Sequence, residues 1–87
     1  MTQTIYKYPL EVVDEQVVTT FASAKPLCVQ MQNNLPCLWA LVDVTQPPGE
    51  LTVRIYGTGH DVDAPYDAYL STFQMLDGAL VFHAFVL

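Results

Sequence analysis

Hydrophobic positions along this chain recur with a period of two, and only rarely with one near 3.6. From Leu27 to Gln32 the alternation is clean, with Leu27, Val29 and Met31 on one side and Cys28, Gln30 and Gln32 on the other. Leu51 to Tyr56 repeats it, setting Leu51, Val53 and Ile55 against Thr52, Arg54 and Tyr56. Thr4 to Tyr8 (TIYKY) reads as a short strand stopped by Pro9, and Gln16 to Phe21 (QVVTTF) is rich enough in β-branched residues for a second. Cys37 to Val44 (CLWALVDV) is the most apolar stretch and reads as a central strand.

Tyr69 to Leu76 and Ala79 to Val86 complete the set. Between them Asp77-Gly78 tolerates the positive φ angles of a two-residue type I′ turn. Pro47-Pro48-Gly49 predicts a turn, since a proline can donate to neither a helix nor a ladder. Tyr66 to Phe73, preceded by Pro65, is the one place where a helical turn could start. About seven short strands with turns every 8–12 residues predict an all-β fold, a small antiparallel sandwich or barrel. Residues 1–87 form one domain in this reading, because a chain this short supports one core.

If Asn33-Asn34 is a two-residue turn, Gln32 pairs with Leu35, Gln30 with Cys37 and Cys28 with Trp39. One face of that hairpin then carries Leu27, Val29, Met31, Leu38, Ala40 and Val42, an apolar set suited to the core. The other carries Cys28, Gln30, Gln32, Cys37, Trp39 and Leu41. A tryptophan beside amides suits a ligand platform, because a base can stack on the ring while amides read its edge. It equally suits a tryptophan packed at a subunit interface.

Composition narrows the function classes. Hydrophobic residues make up 52% of the chain and charged residues 14%, so a small domain of this kind has apolar surface left over for a second copy or another protein. A homo-oligomer is therefore expected. The net charge is −6, with Lys7, Lys25 and Arg54 as the only strong cations. Three cations cannot form the basic face that duplex nucleic acid requires. The lack of ~18 consecutive apolar residues predicts no membrane-spanning helix. MTQTIYKYPLEV lacks the basic and long apolar segments of a signal peptide, which leaves the cytoplasm as the expected location. Cys28 and Cys37 fit reduced thiols better than a zinc site.

The chemistry-bearing residues are few. His60 and His83 are the only imidazoles, and no GxSxG elbow or cysteine nucleophile motif accompanies them. His60, Asp61 and Asp63, with Asp67 nearby, form the one acid-rich cluster, but their spacing matches neither an EF-hand nor HExxH. Neither a metal nor a cofactor is expected. In GTGH, Gly57 and Gly59 allow close backbone approach, and successive amides can form an anion-holding nest. Arg54 lies three residues upstream, within reach of a phosphate bound there. The plainer alternative is that these glycines only let the chain leave a strand. Lys7 stands between Tyr6 and Tyr8, and His83 should share a face with Val81 and Phe85.

The segments TIYKYPLEVVDEQ, VQMQNNLPCLWALVD, GTGH, YLSTFQ and LVFHAFVL resemble a family of very small phage-encoded proteins of unknown function. The resemblance covers most of the chain, least of all Ala64 to Ala68. It implies a phage accessory protein in the cytoplasm of an infected host. Some such proteins form compact oligomers that act as sponges, holding a phosphorylated nucleotide immune signal such as a cyclic oligonucleotide or ADP-ribose derivative. In that reading Lys7, Tyr8, Trp39, Arg54, Gly57, Gly59, His60 and His83 contact the ligand, and no turnover occurs. The alternative is a structural or interaction protein, either a virion component or an inhibitor bound to a host protein. A metal-dependent nucleotide hydrolase using His60, Asp61 and Asp63 is the third reading, and it would require a metal-bound water.

Overall fold

The computed structural model describes residues 2–87. Seven strands run in the order β1 (Gln3–Pro9), β2 (Glu15–Phe21), β3 (Lys25–Gln32), β4 (Leu35–Asp43), β5 (Pro48–Gly57), β6 (Tyr69–Met75) and β7 (Leu80–Val86). They form two antiparallel sheets, one ordered β1-β4-β3 and the other β2-β5-β7-β6. The architecture is all-β, as the alternation predicts, and of the two expected forms it is a sandwich.

Alternation fixes which side chains meet between the sheets. Val29, Leu38, Ala40, Val53 and Ala84 are fully buried, joined by Val42, Ile55 and Phe73. Burying each larger aliphatic side chain contributes roughly 1.5–3 kcal/mol relative to leaving it in water. At one side the sandwich is closed by a cross-sheet hydrogen bond, the Val29 N–H of β3 donating to Ser71 Oγ of β6 at 2.8 Å. At the other side the hydroxyls of Tyr8 and Thr20 share a hydrogen bond of 2.7 Å.

The Asn33-Asn34 hairpin forms with the expected register, Cys28 opposite Trp39 and Gln30 opposite Cys37. Both asparagines have positive φ, 52° and 66°, as a type I′ turn requires. Val29, Leu38, Ala40 and Val42 are core, but Leu27 is not. The register shifts between Pro26 and Cys28, so Leu27 falls in a bulge and is 46% exposed.

Three other details depart from expectation. Pro48 and Gly49 belong to β5, opposite Phe21 and Thr20, and are not a turn. Ala22 N–H donates to the Pro47 carbonyl and Ile55 N–H to that of Asp14, which fixes the phase of the β2–β5 ladder. The Pro48 nitrogen therefore falls at a position that donates nothing to β2, where proline is tolerated. The turn lies earlier, at Val44 to Gln46, where Asp43 accepts from Thr45 N–H at 3.0 Å and from Thr45 Oγ1 at 2.6 Å. The β6–β7 register is that of the Asp77-Gly78 turn, Met75 opposite Leu80, yet Leu76 also takes a positive φ of 54°. The helical turn shrinks to a single 3-10 turn, Tyr66–Ala68, before β6 begins.

Candidate functional site

Six of the eight candidate contacts lie in strands, while Gly59 and His60 lie in the turn after β5. Lys7 and Trp39 are cross-strand partners in β1 and β4, on the outer face of the three-stranded sheet. The Lys7 ammonium lies 5.9 Å from the Trp39 ring centroid and donates to Gln32 Oε1 at 2.7 Å. Lys25, opposite Leu41, belongs to the same face. Tyr8 does not. It lies opposite the buried Leu38, points between the sheets and is half-buried against Thr20.

Arg54, Gly57, Gly59, His60 and His83 gather at one end of the other sheet. Arg54 and His83 lie on its outer face, opposite Phe85 and Tyr56 respectively. The hydrophobic core therefore separates this group from Lys7 and Trp39. No single small ligand touches both.

The GTGH segment is a β-turn. His60 N–H donates to the Gly57 carbonyl at 3.1 Å, and Gly59 takes a φ of +90° that a side chain would strain. Thr58 N–H is also engaged, donating to the Val81 carbonyl at 3.3 Å. With both amides turned inward, the segment does not form an anion nest. At Gly57 an added Cβ would come within 3.0 Å of Cε1 of the exposed His60 ring.

Nearby, a cavity of about 470 Å³ is lined by Asp14, Glu15, Arg54, Tyr56, His60, Asp61 and Asp63. Arg54 Nε pairs with Glu15 Oε1 at 2.8 Å and Nη1 with Asp63 Oδ1 at 3.5 Å. Its guanidinium is held charged even more firmly than usual, chiefly by the bond to Glu15 and next by Tyr56. The Tyr56 hydroxyl donates to Asp63 Oδ1 at 2.6 Å. That bond is the main reason the Asp63 carboxyl lies below its ordinary range and the Tyr56 hydroxyl above its own. Four carboxylates thus surround one cation that is already paired. Such a site repels a phosphate.

His83 is held at both ring nitrogens. Thr58 Oγ1 lies 2.7 Å from Nε2 and Thr72 Oγ1 lies 2.8 Å from Nδ1, with the Tyr69 hydroxyl 2.7 Å behind Thr72. Each threonine hydroxyl can donate or accept, so the ring is satisfied without a ligand. Sequence patterning gives no signal for Thr58, Tyr69 and Thr72 as its partners, because the three converge only when β6 and β7 pair beside the turn after β5. Among the described residues, no group of three or more histidines, cysteines and acids is placed to hold a metal ion. Nor is any helix among them long and apolar enough to cross a membrane. Cys28 and Cys37 are free thiols.

The outer face of the three-stranded sheet has a different character. Ile5, Lys7, Trp39, Leu41, Cys28, Gln30 and Gln32 share it by register. It holds two of the three strong cations, and its one carboxylate, Asp43, is buried at the margin and bonded to Thr45.

The chain belongs to DUF7352, a domain family of unknown function whose model matches residues 1–87. No curated protein matches it, and no solved structure does.

Proposed function

We propose that this protein is a binding module without chemistry of its own, and that its working surface is the outer face of the three-stranded sheet. The observation that carries this reading is the segregation of charge. Lys7 and Lys25 stand on that face beside Trp39, while Arg54 is taken up by acids on the opposite sheet. An open sheet face bearing an aromatic ring, apolar side chains and two ammonium groups suits an acidic protein surface. The resemblance to phage accessory proteins supports placing that partner in the cytoplasm of an infected host, where occupying it would block a defence component.

A direct test compares the host proteins retained by the wild type with those retained by a Lys7→Glu/Lys25→Glu double variant. Gln74→Glu, on the outer face of the other sheet, serves as control. A partner kept by the control and lost by the double variant supports the reading. Retention by all three, or by none, overturns it.

The arrangement of Lys7, Trp39 and Gln32 favours a second reading, sequestration of a phosphorylated nucleotide. A base would stack on Trp39 after displacing the Lys7 ammonium, which would then turn to the phosphate, while Gln30 and Gln32 meet the base edge. Displacing the cation costs about 0.5–1 kcal/mol at an exposed site. Thermal unfolding against cyclic oligonucleotides and ADP-ribose derivatives tests it. Ligand at 100 times its dissociation constant should add about 2.7 kcal/mol of stability and be recovered intact. A response that survives Trp39→Ala would rule out this site.

A further inference from the structure

Among the described residues, strand β1 is an edge with no strand paired on its outer side. Leu10 N–H donates to the Pro36 carbonyl at 2.9 Å, which fixes the phase of the β1–β4 ladder. By alternation Tyr8, Tyr6 and Thr4 bond to β4, and the N–H and C=O groups of Gln3, Ile5 and Lys7 point away from it. Pro9 falls on the outward phase, where its missing N–H costs the ladder nothing. Ile5 is 56% exposed on the outer face, and Tyr6 on the inner one keeps 41% exposure although its ring meets Phe21 edge-on at 6.0 Å.

A lysine in an edge strand ordinarily guards it against pairing. Lys7 does not stand guard here. Its ammonium reaches back across β4 to Gln32 on β3, away from the free edge. The strand β2 is also an edge, but its inward residues Val18 and Thr20 are already buried and it opens on Glu15. The remaining edges, β3 and β6, lie side by side and are linked by the Val29–Ser71 hydrogen bond.

We infer that β1 pairs with β1 of a second copy, antiparallel about a two-fold axis at Ile5, to make one continuous sheet across a homodimer. This register sets Ile5 against Ile5 of the second copy, Gln3 against Lys7, and Thr4 against Tyr6. Every outward N–H of Gln3, Ile5 and Lys7 then meets a carbonyl, and no like charges face each other. The net charge of −6 opposes association at long range, but β1 itself contains no carboxylate. The inference does not depend on what the outer face binds.

Sedimentation of the whole chain tests it, using Ile5→Glu and Ile5→Lys. Residue 5 is exposed, so either charge leaves the fold intact, and circular dichroism checks this. The wild type should sediment as a dimer. Each variant alone should dissociate with a Kd weakened roughly tenfold or more, because like charges would meet on the axis. An equimolar mixture of the two variants should recover the dimer. A wild type that stays monomeric overturns the inference, as does an Ile5→Glu variant that dimerises like the wild type. A mixture that fails to recover the dimer overturns the register.

Discussion

The Tyr56 hydroxyl donates to the Asp63 carboxylate across 2.6 Å, and that bond fastens the long β5–β6 connection over the outer face of the four-stranded sheet. Tyr56 and Tyr69 meet the Phe85 ring edge-on at 5.4 and 5.6 Å beneath it. Phe85 is consequently buried, although it faces away from the core. The acidic connector is a strap, and its anchor is one carboxylate.

Tyr56→Phe should release that strap while the sandwich stays folded. Limited proteolysis should cut within residues 58–68 several-fold faster than in the wild type. The pH dependence has a defined sign. The Asp63 carboxyl is lowered from 3.8 in the folded chain, mainly by Tyr56, so its contribution is complete above that ordinary value. It disappears as the pH falls through the depressed native value. An NMR titration should find the Asp63 carboxyl shifted upward in Tyr56→Phe; an unchanged midpoint would show that the bond does not hold the loop.

Ser71→Ala should destabilise through a single atom. Ser71 is buried, and its Oγ accepts the Val29 N–H where β3 passes beside β6. Alanine leaves that amide buried and unpaired, at a cost of about 1–3 kcal/mol. Denaturant unfolding reads the loss directly. A change below a few tenths of a kcal/mol would show that water reaches the amide.

Leu76→Asn should stabilise. Leu76 is 71% exposed and holds a φ of 54°, a left-handed conformation that costs a branched side chain about 1–2 kcal/mol. Asparagine visits that region readily, and little packing is lost in the exchange. A gain of about 1 kcal/mol is expected in chemical unfolding.

The strands were legible because alternation depends only on near neighbours. Val29 against Leu38 and Ile55 against Ala84 follow from which positions of each strand are apolar. The Asn33-Asn34 turn was equally legible, since its register follows from two residues that accept positive φ. What escaped depends on contacts between distant segments. Nothing near Arg54 in sequence shows that Glu15, on another strand, will take its guanidinium. Tyr8 and Lys7 are chain neighbours, yet the pleat sends one into the core and the other over Trp39. A list of plausible contacts was therefore readable from residue types, but its division between two opposite surfaces was not.

Gly49 sharpens that distinction and gives the last prediction. In sequence it follows two prolines and resembles a turn glycine, yet it lies in β5 opposite Thr20. A Cβ there would sit 2.8 Å from Ala22 N and 2.9 Å from Ala22 Cα, both backbone atoms of the link from β2 to β3. A flexible side chain could yield, but this crossing cannot move without disturbing the Ala22 N–H bond to the Pro47 carbonyl at 2.7 Å. Gly49→Ala should therefore cost about 1–3 kcal/mol, the usual penalty for forcing atoms into a filled site. Gly57→Ala is the contrasting case, since the atoms nearest its Cβ would belong to the exposed His60 ring, which can swing aside. Unfolding midpoints should fall clearly for Gly49→Ala and little for Gly57→Ala. Equal losses would mean that the close approach at Ala22 is not what sets the cost.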